Sequence, residues 1–264
     1  MTPARPADSP AVPRVDVSLR DGVATLVMHG HKSVNLINSA MMDALLGAGE
    51  RVRGEPGLRL IVLTGAPGQG FIGGADIAEM SAFTPATARE FITRMHQVCH
   101  QFRTLPVPSI ARVDGPCLGA GLELAAACDL RIGSTASRYG MPEVQVGLPS
   151  VIEATLLPTL IGWGHTRELL YRGHVIDAAE AHRIGFLQKV APLERLDADM
   201  QPWVDDIVRA EPGAIRTQKR LIEGWLDSGI AAGIQASIDA FGATFETDAP
   251  NRRLKAFFDG RKKK

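Results

Sequence analysis

Hydrophobic and polar positions change their period several times along the chain. Residues 15–17 and 23–28 flank Asp21-Gly22, a pair suited to a tight turn, and predict a β-hairpin. Residues 38–53 follow a helical period, with Met41, Met42, Leu45, Leu46 and Val52 forming an apolar stripe. Residues 58–64 are a short apolar run ended by Gly65, the pattern of a buried strand. A helix over 85–103, a strand over 106–113, a helix of small residues over 118–128 and a very short strand over 130–133 follow. Strands alternating with helices predict an α/β architecture. From about Asp197 the strands stop, and residues 200–210, 212–227, 231–246 and 252–258 all carry helical patterns. No repeat and no long linker sets this stretch apart, so it is expected to pack on the first domain or on a neighbouring subunit.

Composition narrows the function classes. The 264 residues are 45% hydrophobic, enough for a substantial core. Lys plus Arg and Asp plus Glu each number 29, so the net charge is zero, without the basic excess of a polyanion binder. Aromatic residues make up 5% and do not interleave with basic ones as a stacking surface for single strands would require. No nucleic-acid partner is expected. No window holds the ~18–20 uninterrupted apolar residues of a membrane span, so no membrane partner is expected either. Residues 1–13 contain four prolines and charges of both signs but no apolar signal core; they are expected to be a flexible tail on a cytoplasmic protein. Cys99, Cys117 and Cys128 are odd in number and form no CxxC pair, which predicts neither a disulfide framework nor a metal site. The closing Arg-Lys-Lys-Lys reads as a solvated tail.

Three segments carry candidate chemistry. Residues 65–76 place five glycines between a strand and Asp76, allowing close backbone approach to a ligand, but fit neither GxxxxGK[ST] nor GxGxxG. In Asp114-Gly115-Pro116-Cys117-Leu118-Gly119-Ala120-Gly121-Leu122-Glu123, a turn opens into a helix whose first N–H groups have no intrahelical partner. Ala120 can aim its N–H at an anion, and Glu123, three residues on, lies on nearly the same face. An oxyanion donor beside a carboxylate is a catalytic arrangement, although a glutamate in a first helical turn also simply complements the dipole. Gly140-Met141-Pro142-Glu143 holds a second carboxylate in a loop.

Together, Phe71-x-Gly-Gly-Ala75-Asp76-Ile77, Gly-Ala120-Gly-x-Glu123-Leu-Ala and Pro142-Glu143-x-x-x-Gly147-Leu-Pro149 resemble the crotonase superfamily, specifically the enoyl-CoA hydratases. Asn35, Ala181 to Gly185, Lys219 and Phe245-x-Thr247-Asp248 extend the resemblance over nearly the whole chain. It implies a crotonase-like spiral of ββα units over residues 14–196 and a helical trimerisation module over 197–264, assembled as a homotrimer or homohexamer. The implied substrate is an acyl-CoA thioester, handled without an added cofactor. Ala75 and Ala120 match the oxyanion-hole positions, the latter replacing a frequent glycine. Gly73, Ala75, Asp76, Ile77 and Ala120 match the substrate-binding stretch. Glu123 would activate water and Glu143 would protonate C2 of a 2-enoyl-CoA. Retention of both glutamates favours hydration over Δ3-to-Δ2 enoyl-CoA isomerisation or another crotonase-fold reaction, and speaks against a silent or RNA-associated member of the fold.

One stretch departs from the family pattern. After Pro149, where hydratases are commonly glycine-rich, stand Ser150-Val151-Ile152-Glu153-Ala154, and the loop before Pro149 is one residue short. Ser150-x-x-Glu153 predicts a capping box opening a helix towards Ile161. The alternative is that Val151, Ile152 or a third carboxylate at Glu153 reshapes the acyl pocket.

Overall fold

The computed structural model describes residues 12–261, so most of the expected tail over 1–13 and the last three lysines of the closing run lie outside the described residues. Strands β1 (Arg14–Arg20) and β2 (Val23–His29) pair antiparallel, with Arg20 opposite Val23. Asp21 and Gly22 between them sit at φ 49° and 81°, the two positive values a tight hairpin turn of this twist requires. Helix α1 (Ser39–Arg53) starts at Asn38, whose side chain accepts from the Met41 N–H at 2.8 Å. It leads to β3 (Leu60–Gly65), parallel to β2. The short α2 (Ile77–Met80) and long α3 (Pro85–Thr104) follow; α3 opens on a reciprocal Thr84–Thr87 capping box with proline at its first position.

Next come β4 (Ser109–Val113), β5 (Pro116–Leu118), α4 (Ala120–Ala127), β6 (Leu130–Ser134) and β7 (Arg138–Gly140). The expected strand over 106–113 is shortened because Pro106 and Pro108 cannot donate to a ladder. The expected helix over 118–128 starts two residues late, because Gly119 at φ 51°, ψ −120° separates β5 from α4. Helices α5 (Leu157–Arg172) and α6 (Ala178–Arg183) flank β8 (Val175–Asp177), and β9 (Lys189–Ala191) ends the strands.

Six strands form the main sheet in the order β1-β2-β3-β4-β6-β9, and β5-β7-β8 form a small second sheet. On β3, Ile61 and Leu63 face the main core while Leu60 and Val62 face the opposite side. A strand covered on both faces needs no polar alternation, which explains its unbroken apolar run. The main core brings Met41, Met42 and Leu45 of α1, Met95, Val98 and Phe102 of α3 and Leu122 and Leu124 of α4 against one face.

The opposite face is covered by α7 (Leu196–Arg209), through Leu196, Met200 and Val204. Helix α8 (Pro212–Asp227) is tied down by Lys219, whose buried ammonium donates to Phe102 O at 2.8 Å, Val107 O at 3.0 Å and Asp129 Oδ2 at 2.8 Å. Helices α9 (Ile230–Thr244) and α10 (Ala249–Arg261) complete the described chain; in α9 only Gly233 is buried.

Candidate active site

The glycine-rich segment after β3 is laid beside the start of α4 by backbone pairing. Phe71 N–H donates to Asp114 O at 2.8 Å, Ile72 N–H to Pro116 O at 2.9 Å, and Leu118 N–H back to Ile72 O at 3.0 Å. Asn35, fully buried, anchors the other side: its Nδ2 donates to Gly70 O at 2.9 Å and its Oδ1 accepts from Gly30 N–H at 2.6 Å. Gly73 N–H donates to Asn35 O at 2.8 Å, Ile37 N–H to Gly74 O at 2.9 Å and Asp76 N–H to Ile37 O at 2.7 Å. This pattern skips Ala75, whose N–H finds no acceptor among the described residues.

The second unpaired donor is Ala120. Its N–H opens α4 and likewise finds no acceptor among the described residues, whereas Glu123 N–H already bonds Gly119 O at 3.0 Å. Glycine at 119 is favoured by its backbone conformation. Its φ of 51° with ψ −120° is a glycine conformation, and a Cβ would collide with Glu143 Oε1. Glu143 therefore lies directly against the backbone that turns into α4. It stands in a 3₁₀ turn (Pro142–Val146) closed by Gly147 in the left-handed region, and its Oε2 accepts from Ser150 Oγ at 2.9 Å.

Every residue of α4 is buried, and Glu123 is only 4% exposed, its Oε1 without a hydrogen-bond partner among the described residues. Burial foremost, then the charge of Glu143 and that of Glu153, push its carboxyl up to about 8, while the Ala154 and Val151 N–H groups pull the other way. In this state Glu123 holds its proton at neutral pH.

The Ser150–Glu153 capping box expected from the sequence is not formed. The 3₁₀ turn Ile152–Leu156 is preceded by Val151 and has no side-chain cap. Ser150 is instead drawn to Glu143, and Glu153 turns inward to 2% exposure, with Oε1 2.9 Å from His96 Nδ1 on α3. The reversal of direction occurs at Ile152, at φ 39°, a left-handed conformation that strains a β-branched residue. Glu153 is thus an inward-facing carboxylate and not a helix cap. Burial, then the charges of Glu153 and Glu123, push the thiol of Cys99 on α3 well above its ordinary value.

The remaining expected site residues, Gly73, Asp76 and Ile77, sit on either side of Ala75. Asp76 caps α2 by accepting from Ala78 N–H at 3.1 Å and is held by Lys32 Nζ at 3.0 and 3.1 Å, with His31 Nε2 3.5 Å away. Burial works to raise its carboxyl, but the Lys32 ammonium and the Ala78 N–H hold it below the usual range. Its charge is therefore satisfied within the protein. Gly73 is part-buried against Val34, and Ile77 projects into solvent. Sequence reasoning had not picked out Lys32 or His96, because each pairs with a carboxylate 44 or 57 residues away.

The sequence profile of the family described as Enoyl-CoA hydratase/isomerase matches residues 18–264. The chain is 33% identical over 241 residues to a crotonyl-CoA hydratase of Syntrophomonas wolfei, covering 91% of this chain and 93% of the relative. It is 32% identical over 244 residues to a short-chain-enoyl-CoA hydratase of Clostridium acetobutylicum, covering 91% and 92%. The fold is similar to the crystal structure of an enoyl-CoA hydratase from Bacillus anthracis, with a TM-score of 0.89 at 27% identity over 94% of this chain and 96% of that one.

Proposed function

The chain belongs to the enoyl-CoA hydratase/isomerase family, and from that premise we propose that it adds water across the 2,3-double bond of a 2-enoyl-CoA thioester. The observation that carries this reading is the convergence of two carboxyl groups, Glu123 and Glu143, on the turn whose Ala120 N–H is unpaired. A thioester oxygen between the Ala75 and Ala120 N–H groups accepts the charge that develops as water attacks C3. Each such donor contributes about 3–4 kcal/mol to the transition state, and the positive end of α4 adds to it.

The two carboxyls divide the proton work. In the hydration direction, ionised Glu123 takes a proton from the attacking water and Glu143 supplies one to C2. In the reverse direction, protonated Glu123 helps hydroxide leave C3. The raised carboxyl of Glu123 favours this second state at neutral pH, so the limb of the hydration kcat/KM profile set by Glu123 rises towards about 8, provided Glu143 still carries the proton it donates. Hydration is redox-neutral and its proton transfers fall to side chains, so it calls for no added cofactor. Gly73, Asp76 and Ile77 would border the bound thioester, with Asp76 acting through the rigid start of α2.

We place the assembly surface on the C-terminal helices over 197–264, as a homotrimer or homohexamer. Support comes from α9, where Ile230, Ile234, Ile238 and Phe241 share one exposed face and, with Trp225, line an apolar groove of about 550 Å³. A cytoplasmic location is supported by three buried, unpaired cysteines; no helix among the described residues is long and apolar enough to cross a membrane.

The test is the loss of the enoyl-thioester ultraviolet band when the protein is added to crotonyl-CoA and to longer 2-enoyl-CoAs. Glu123→Gln and Glu143→Gln should each lower the rate by about 10²–10⁴-fold. Unchanged substrate at every chain length would refute hydration; a Glu123→Gln protein that still moves a double bond from C3 to C2 would make the chain an isomerase.

A further inference from the structure

Two buried carboxylate oxygens have no hydrogen-bond partner among the described residues: Glu123 Oε1 and Glu153 Oε2. Buried polar atoms in folded proteins are almost always satisfied, so a pair left open on neighbouring elements points to something the two share. The groups facing them are Glu143 from its 3₁₀ turn and Cys99 and His96 from α3, with His100 stacked on His96 at 5.6 Å. One of these carboxylates, Glu153, is hydrogen-bonded to His96, with Oε1 2.9 Å from Nδ1.

Glu153 is fully enclosed, yet its partner His96 is 47% exposed. The pair therefore runs from the buried end of the site to the outer face of α3. The turn that delivers Glu153 there does so through a β-branched residue at positive φ, a strained and sparsely populated conformation. A surface cap would not need this; an inward-facing carboxylate does.

We propose that Glu153, held by His96, is a positioning residue of the active site that shares a proton with Glu123 and gives it an exit to solvent. The proposal rests on the hydratase reading. Each hydration leaves the attacking water's proton on Glu123 and takes one from Glu143, so before the next turnover Glu123 must lose a proton and Glu143 must gain one. Glu123 is walled in by α4. The proton passes to the Glu153–His96 pair, which releases one from the exposed imidazole, while Glu143 takes one from solvent; no net proton is consumed.

The experiment compares the pH dependence of crotonyl-CoA hydration by wild type, Glu153→Gln and His96→Ala, with and without added imidazole. Glu153→Gln is expected to lower kcat about tenfold, a fraction of what a direct acid or base supplies, and to move the limb set by Glu123 to lower pH, because a like charge has been removed. His96→Ala is expected to lose about tenfold in kcat with little change in KM, and imidazole should restore it. A static charge at Glu153 would shift the limb but give no imidazole rescue of His96→Ala, so the rescue is what separates a proton exit from a merely structural role. Wild-type profiles in both variants, or a His96→Ala loss that imidazole leaves untouched, would overturn the proposal. If wild type itself leaves the thioester unchanged, the hydratase reading fails first. The infrared band of protonated Glu123 then decides: it must titrate at lower pH in Glu153→Gln, and an unmoved band refutes the coupling.

Discussion

Helices α4 and α9 are both built largely of small and apolar residues, and they meet opposite fates. In α4 every residue is buried; in α9 only Gly233 is. The first is enclosed by the glycine-rich segment, α3 and the turn that carries Glu153, and its one charged residue is the site carboxyl. The second presents Ile230, Ile234, Ile238 and Phe241 to the outside, spaced so that they fall on one face. The difference separates a face whose cover lies within the chain from one that the described residues leave open.

The enclosure of α4 starts at Gly119, where the helix begins. Gly119→Ala forces a Cβ into Glu143 Oε1 and out of a glycine conformation, displacing both the carboxylate and the Ala120 N–H. Hydration should fall by about 10²–10³-fold, the range for a lost oxyanion donor. Steady-state kinetics on a variant with wild-type circular dichroism would measure it. Near-wild-type kinetics would mean that the turn into α4 is mere scaffold.

At α9 the expected effect is on assembly. Ile234→Asp puts a charge in the middle of the exposed stripe, and light scattering should show the mass falling to that of one 28.3 kDa chain. The sheet core, whose contacts lie elsewhere, should keep its circular dichroism. An unchanged oligomer would show that another face is used, and a monomeric wild type would refute assembly through α9.

Much of this contrast is written locally in the chain. The hairpin at Asp21-Gly22, the α1 stripe and the capped start of α3 follow from periods and caps a few residues long. The unbroken run of β3 follows from burial on both faces. Glu123 and Glu143 are legible once the motifs around them are taken together. What local pattern cannot supply is direction. Ser150-x-x-Glu153 has the spacing of a cap, and only packing under α3 turns Glu153 inward to His96, 57 residues away. The helical pattern from Asp197 likewise does not reveal that α7 belongs to the sheet's outer face while α9 does not, because both are amphipathic or apolar and differ only in which surface lies opposite.

Burying α4 with a carboxyl on it also has a thermodynamic consequence. An ordinary glutamate titrates near 4.5, whereas Glu123 in the folded chain is held at about 8. Below 4.5 the folded and unfolded chains both hold this proton. Between 4.5 and 8 the folded chain keeps a proton that the unfolded one has released, so stability from this group falls as pH rises through that window and levels off above it. The span corresponds to at most about 5 kcal/mol, reduced by whatever relaxation the site allows. Glu123→Gln carries no titratable proton and escapes the loss. Its Tm should match wild type near pH 5 and exceed it by several degrees near pH 9, on the order of 2–4 °C per kcal/mol for a chain of this size. Thermal melts at the two pH values measure the difference. Parallel curves would mean that Glu123 does not keep its proton through this range, and that the most buried helix of the site carries its carboxyl at no cost to the fold.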